Sequence, residues 1–195
     1  MDQGAPSGHD ETPDREAFLA NFRRWGFSDL RSNATRGVFA EYLVGRALGV
    51  DLSRLRKEWD PWDLETPQGT KIEVKSSAYV QAWAPPARPV PVRYTGLLAR
   101  HWVEAGAQAA GYTASPGVRA DVYVFALQTC RDPDLYDPLN LAQWEFRVVP
   151  GPTVRAWNQM TIGLTRLEAS GFTAHPITDL AQAVHAATPP APLQT

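Results

Sequence analysis

Cysteine is almost absent from this chain of 195 residues, since Cys130 is the only one. One cysteine excludes an internal disulfide framework and favours a reducing, cytoplasmic environment. The histidines predict no zinc site, because none of the four is paired at a metal-binding spacing: His9, His101, His175 and His185. The chain also lacks the Gly-x-Ser-x-Gly elbow and the Walker-type phosphate-binding loop, which leaves serine hydrolase and P-loop nucleotidase functions without support.

Strong net charge and a long apolar segment at the start of the chain are missing as well. The formal net charge is −2, so any surface for nucleic acid must be local. Residues 1–13 are polar and acidic, which predicts a disordered tail rather than a signal peptide or a membrane segment. We expect one domain over residues 14–187, for which 44% hydrophobic content is sufficient, and a second disordered tail over 188–195.

Two short strand-like runs around a Gln-Gly turn are the most informative feature of the chain. They cover residues 62–66 and 71–77. We expect this strand to continue to Trp83. Alternation then places Glu73, Lys75 and Gln81 on a polar face and the apolar residues on the opposite face. Because the turn folds the first run back beside the second, Asp63 can approach the same point as Glu73.

Two carboxylates and an ammonium at one point predict metal-dependent chemistry. Carboxylate oxygens are hard ligands that suit Mg²⁺, with Mn²⁺ as a substitute. Lys75 can hold or polarise a water, and metal and lysine together can stabilise the charge of a pentavalent phosphorus. Asp60 competes with Asp63 for the metal role, but we favour Asp63 because the residue before a proline is usually in an extended loop.

Three residues of this hairpin resemble the motif of the PD-(D/E)XK phosphodiesterase superfamily: Asp63, Glu73 and Lys75. That superfamily includes restriction endonucleases, Holliday-junction resolvases and repair exonucleases. The chain departs from its pattern at Trp62, which stands before the first acid, while Pro61 lies one position earlier. The resemblance covers about residues 32–149 and implies an α/β fold of the restriction-endonuclease type, with a central mixed sheet flanked by helices.

The resemblance also implies a function and a role for each residue. The function is Mg²⁺-dependent hydrolysis of DNA phosphodiester bonds that leaves 5′-phosphate ends. Asp63, Glu73 and the Val74 carbonyl would bind the metal, and Lys75 would position the attacking water. Many members carry a further acid on the helix before the sheet, and Glu41 resembles it.

Glu41 belongs to a predicted helix that starts at Ser32 or Asn33 and ends near Leu48, before Gly49. Helical spacing places it on a mostly apolar stripe, formed by Ala34, Val38, Glu41, Gly45 and Leu48. A carboxylate that points inward needs a partner, which a metal or Lys75 would supply. The alternative is a helix-edge glutamate paired with an arginine such as Arg46.

Several residues around the hairpin are candidates for contact with DNA. Prolines between 85 and 91 interrupt regular pairing, and superfamily members often use such a segment to approach DNA. The candidate DNA-binding residues are Gln81, Trp83, Arg88, Arg93 and Arg119, with Tyr94 beside them. The alternative for this segment is a proline-rich edge, and for Arg119 we favour structural pairing with Asp121.

The remaining pattern predicts helices and two buried strands. An amphipathic helix over residues 14–25 carries a ring stripe that we expect in the core: Phe18, Phe22 and Trp25. The strands cover 121–127 and 144–149, and helices follow over 151–157 and 177–187. Residues 100–116 show little pattern and could form a flexible flap.

Two other readings stay open. The chain could be a non-catalytic module that binds DNA or a protein partner on the same fold, or the hairpin could carry an ordinary Glu/Lys surface pair. DNA, duplex or branched, is the expected partner, and a homodimer or an unknown protein partner is compatible with the sequence.

Overall fold

A four-stranded mixed sheet forms the centre of the fold in the computed structural model, which describes residues 14–54, 56, 60–83, 90–98, 102–103, 111–112 and 116–190. The helices are α1 (Arg15–Phe27), α2 (Asn33–Ala47), α3 (Gly151–Trp157), α4 (Leu164–Ala169) and α5 (Leu180–Ala187). The strands are β1 (Leu64–Glu65), β2 (Lys71–Ala78), β3 (Arg93–Thr95), β4 (Trp102–Val103), β5 (Gly111–Tyr112), β6 (Val122–Gln128), β7 (Trp144–Pro150) and β8 (Thr161–Gly163).

The central sheet has the order β1-β2-β6-β7. β1 and β7 run antiparallel to their neighbours, whereas β2 and β6 are parallel. Two further pairs, β3 with β8 and β4 with β5, form separate two-stranded sheets. Every residue of β6 is buried because both faces of the sheet are covered, which is typical of a parallel strand. The predicted α/β fold with a central mixed sheet is therefore confirmed at this level.

The two faces of the sheet have separate cores. On one face, α2 and α5 pack on the apolar side of β2 through residues such as Val44, Ile72 and Val184. On the other face, β3, β8, α3 and α4 cover β6, with Tyr94 and Phe125 at their contact. The polar side of β2 thus faces the β3–β8 layer, which decides what surrounds Glu73 and Lys75.

The β1–β2 hairpin agrees with the sequence prediction in its turn and differs in its length. Gly69 has a φ of +83°, which favours glycine, and its N–H donates to the Thr66 carbonyl. β1 covers only two residues, and β2 ends at Ala78 instead of continuing to Trp83. The strand ends where its ladder with β6 ends, so its predicted alternation does not extend to Gln81.

The ring stripe of α1 is not in the core, which corrects the prediction. Phe18, Phe22 and Trp25 are 64%, 49% and 86% exposed, and α1 has no buried residue. Helical spacing identifies an apolar face but does not say whether another element packs against it. The stripe predicted on α2 is also partly wrong. Ala34 and Val38 are exposed, because α2 turns the side that carries Ala40 and Val44 to the sheet.

Other elements match their predicted positions closely. The last helix buries Leu180 and Val184, as expected, after a short 3-10 turn over Ile177–Asp179. α3 starts at Gly151, where a Cβ would lie 2.2 Å from the Ala120 carbonyl oxygen, so no larger residue fits without movement of the backbone. Among the described residues, no helix is long and apolar enough to cross a membrane.

Candidate active site at the β1–β2 hairpin

Asp63 lies at the start of β1 and is held against β2 by two hydrogen bonds. Its backbone N–H donates to the Ile72 carbonyl at 3.0 Å. Its Oδ2 accepts from the Val74 N–H at 2.8 Å. The hairpin register therefore brings this carboxylate to the backbone between Glu73 and Lys75, as the sequence predicts.

Glu73 and Lys75 form a direct ion pair on the polar side of β2. The distance between Lys75 Nζ and Glu73 Oε1 is 2.6 Å, and both side chains are largely buried. The β3 layer covers them, since a methyl group on Gly96 would lie 3.6 Å from Lys75 Nζ. Gly96 has a φ of +71°, so a substitution there is strained as well as close to the ammonium.

Glu41 is buried, as the predicted stripe requires, but its partner is neither Lys75 nor Arg46. Arg56 makes a two-point contact with the Glu41 carboxylate, with Nε to Oε2 and with Nη2 to Oε1 at 2.8 Å. Arg46 instead extends over the ring of Tyr42, 5.9 Å from its centre. The irregular segment after α2 brings Arg56 back to the helix, which sequence spacing alone does not reveal.

Three carboxylates share one electrostatic environment at this site. Burial raises the pKa of Asp63 from its usual 3.8 to about 7, and repulsion from Glu73 and Glu41 adds to the effect. Burial also raises the pKa of Glu73, although Lys75 opposes it, and Glu41 raises it further. A positive group placed among these oxygens would lower both pKa values, because it would offset the repulsion that adds to the effect of burial.

The oxygen atoms of the Asp63 and Glu73 carboxylates and of the Val74 carbonyl are of the type that binds a hard metal ion. In an extended strand the N–H and C=O of one residue point to the same side. The Val74 carbonyl consequently faces the β1 edge, where the Val74 N–H meets the Asp63 carboxylate. In the described part of the chain, however, no group of three acidic, histidine or cysteine side chains is close enough to hold a metal. Two carboxylates and a carbonyl oxygen are thus the available protein ligands, and the Glu73 carboxylate is held by Lys75.

The candidate DNA-binding residues do not form one cluster with this site. Trp83 is 66% exposed, and Arg93 and Arg119 are exposed on other elements. The Gln81 side chain accepts hydrogen bonds from Arg36 of α2 at 3.4 and 3.5 Å, so it turns away from the direction predicted by strand alternation. Arg88 lies outside the described residues.

Arg119 and Asp121 make no ion pair within the described part of the chain, which corrects the expected pairing. The Asp121 Oδ2 accepts from the Lys71 N–H at 2.9 Å and thereby extends the β2–β6 ladder by one contact. Tyr94 is not a surface residue either, because it is 1% exposed and packs on Phe125.

The sequence prediction missed one further neighbour of the site, Tyr123. Burial raises the pKa of the Tyr123 phenol, and Glu73 and Asp63 raise it further, so this phenol lies near both carboxylates. Its hydroxyl donates to the Leu97 carbonyl at 3.1 Å and ties the β3 segment to β6. The sequence signal for Tyr123 was its position in the buried strand, directly opposite Glu73 in the parallel register.

No protein-family model and no curated protein matches this chain.

Proposed function

We propose that this protein is a metal-dependent nuclease that hydrolyses phosphodiester bonds of DNA. One observation carries the proposal: the Asp63 carboxylate is bonded to the strand that presents Glu73 and Lys75, and the three groups belong to one buried electrostatic cluster. Carboxylates whose pKa values are raised by burial and by neighbouring charges are concentrated at functional sites, which supports the proposal.

Each residue has a role that follows from its chemistry. Asp63, Glu73 and the Val74 carbonyl would hold Mg²⁺, or Mn²⁺ in its place. A bound magnesium ion would act as a Lewis acid on the phosphate oxygens and lower the pKa of a bound water. Lys75 would leave its contact with Glu73 and hold the attacking water by a hydrogen bond. Glu41, fixed by Arg56, would keep negative potential on the metal side of the site.

The same proposal includes the finer fold. The mixed sheet with an acidic hairpin at one edge and helix α2 beneath it is what a restriction-endonuclease-like protein would have. DNA, duplex or branched, would be the substrate, and 5′-phosphate ends would be the products. A cytoplasmic location follows from the nearly cysteine-free composition and is part of the proposal.

The experiment is cleavage of labelled linear, single-stranded, branched and supercoiled DNA with Mg²⁺ or Mn²⁺. We expect cleavage by the wild type and its loss in Lys75→Ala. Lys71→Ala is the matched control, because Lys71 is on the same strand and its ammonium lies over the Trp62 ring, 4.3 Å from the centre. Cleavage that survives in Lys75→Ala, or that is lost equally in Lys71→Ala, would refute the assigned role.

Metal binding is measured separately by thermal unfolding. We expect Mg²⁺ to raise the Tm of the wild type, because a ligand that binds only the folded state stabilises it. Asp63→Ala should abolish this increase and cleavage together. An unchanged response in Asp63→Ala would mean that the metal binds elsewhere.

A non-catalytic module that binds DNA or a protein is the second candidate. It is favoured by the contact of 2.6 Å between Lys75 and Glu73, which satisfies both charges without a metal, and by the absence of a three-carboxylate group in the described residues. DNA binding without any turnover, in the wild type and with either metal, would support this candidate. A homodimer or an unknown protein partner fits either function.

A further inference from the structure

A large cleft opens on the same side of the sheet as Lys75, beyond the end of β2. Its volume is about 1540 Å³, which exceeds the range of about 300–1,000 Å³ for ordinary small-molecule pockets. The walls come from the loop before α2, the residues after β2, the start of β3, the loop after β6, and β8 with the start of α4. The candidate catalytic residues are not among its lining residues.

Four arginines line this cleft: Arg31, Arg93, Arg131 and Arg166. None of them makes an ion pair with any described residue. Among the described residues, the lining contains only two acids, and one of them is already engaged, since Glu168 accepts from the buried Arg147 at 2.8 Å. The other, Asp29, accepts from a backbone N–H at 2.9 Å. In a chain of net charge −2, the cleft is therefore a local concentration of uncompensated positive charge.

Aromatic rings hold two of these guanidinium groups in place. Arg131 stacks on Tyr79, 3.6 Å from the ring centre, and Arg31 lies 5.5 Å from the ring centre of Tyr136. Stacking occupies the face of a guanidinium and leaves its N–H edge free for an anion. Arg31 also donates to the Pro133 carbonyl at 3.1 Å. The donors at this end of the cleft are thus oriented before any ligand binds, which lowers the entropic cost of binding.

β3 connects the cleft to the candidate active site. Arg93 begins β3 at the cleft, and Gly96, three residues later, lies beside Lys75. Three residues of extended chain span about 10 Å. Nucleotides in a stacked strand advance about 3.4 Å each, so the cleft would receive phosphates about three nucleotides from a bond held at Lys75.

We propose that this arginine cleft binds a single-stranded nucleic-acid segment through its phosphates. Positive grooves that combine arginine with exposed aromatic rings are the usual means of holding one strand. Trp83, which is 66% exposed and follows the cleft-lining residue Ala82, is placed to stack on a base. The choice of nucleic acid as ligand rests on the proposed function, but binding at the cleft is measured without catalysis.

The experiment is equilibrium binding of a fluorescent 12-nucleotide single strand in EDTA over a range of salt concentrations. Contacts from four arginines predict that log K falls with log[salt] with a slope of about −2.8, because each phosphate contact on a single strand contributes about −0.7. The double variant Arg131→Gln/Arg166→Gln should bind at least about tenfold more weakly, with a slope of about −1.4. Arg23→Gln/Arg24→Gln on the exposed helix α1 is the control for net charge, because it also removes two positive charges, and it should bind as the wild type.

The outcomes separate this inference from the proposed nuclease. A wild-type protein that binds the strand but never cleaves it with Mg²⁺ or Mn²⁺ would refute the nuclease and leave the cleft assignment standing. Equal affinity of Arg131→Gln/Arg166→Gln and of the control Arg23→Gln/Arg24→Gln would overturn the cleft assignment. A mononucleotide that binds as tightly as the strand, or a duplex that binds more tightly through the same arginines, would also overturn it.

Discussion

Replacing Asp63 with asparagine should stabilise the metal-free protein at neutral and alkaline pH. Burial and the nearby carboxylates raise the pKa of Asp63 from 3.8 to about 7. An acid whose pKa is higher in the folded state holds its proton longer there, so stability is greatest at low pH and falls as pH rises from about 4 to 7. Asparagine cannot ionise, and its side-chain oxygen can still accept from the Val74 N–H.

The magnitude follows from the pKa difference. Each unit of pKa difference corresponds to about 1.36 kcal/mol. Because the pKa of Asp63 is about 7 in the folded protein and 3.8 in the unfolded chain, its ionisation lowers the free energy of unfolding by about 4 kcal/mol above pH 8. Between pH 5 and pH 8 the wild type should lose about 2–3 kcal/mol of stability from this group. Asp63→Asn should remove that loss and be the more stable protein at pH 8 by about 2–4 kcal/mol.

The assay is urea unfolding of both proteins in EDTA at pH 5, 6, 7 and 8. Glu65→Gln is the matched control, because Glu65 is an exposed carboxylate two residues away on β1. It should follow the wild-type pH dependence. If the free energy of unfolding depends on pH in the same way in the wild type and in Asp63→Asn, the reasoning is refuted, because ionisation of Asp63 would then cost the folded protein little stability. Added Mg²⁺ should reverse the order at pH 8, because only the wild type gains from the metal.

Two further predictions concern the groups that surround the hairpin. Gly96→Ala should cost about 1–2 kcal/mol of stability because of its positive φ, and it should reduce cleavage at least about tenfold because its methyl group, 3.6 Å from Lys75 Nζ, would occupy the space beside the ammonium. Gly49→Ala is its control, since Gly49 has a similar φ of +69° with no atom within 4 Å, and an equal loss of cleavage there would contradict the explanation. Arg56→Gln should cost about 2 kcal/mol in urea unfolding, because it leaves the Glu41 carboxylate buried without its cation; the value is below that of a fully buried pair since Arg56 is 39% exposed. An unchanged stability would mean that solvent already screens Glu41.

Local patterns in the sequence were sufficient to predict the elements that depend on residues close together in the chain. The Gln-Gly turn needs one residue with positive φ, and alternation sets the two faces of β2, so the hairpin and the approach of Asp63 to Glu73 could be predicted. The all-apolar run of β6 predicted a strand buried on both faces. The proline and glycine signals at the start of α3 were equally local.

Contacts between distant segments required the tertiary structure. Helical spacing predicted that Glu41 is buried. Only the tertiary structure shows that the chain returns after α2 and makes Arg56 its partner. The rings of α1 predicted an apolar face, but not that this face is exposed. The arginine cleft combines five segments that are far apart in the sequence. Arg93 was a candidate for DNA contact from the sequence, but no local pattern groups it with Arg31, Arg131 and Arg166. Periodicity describes one element at a time, whereas charge partners and clefts depend on how the elements pack, which is why the sequence alone could not predict them.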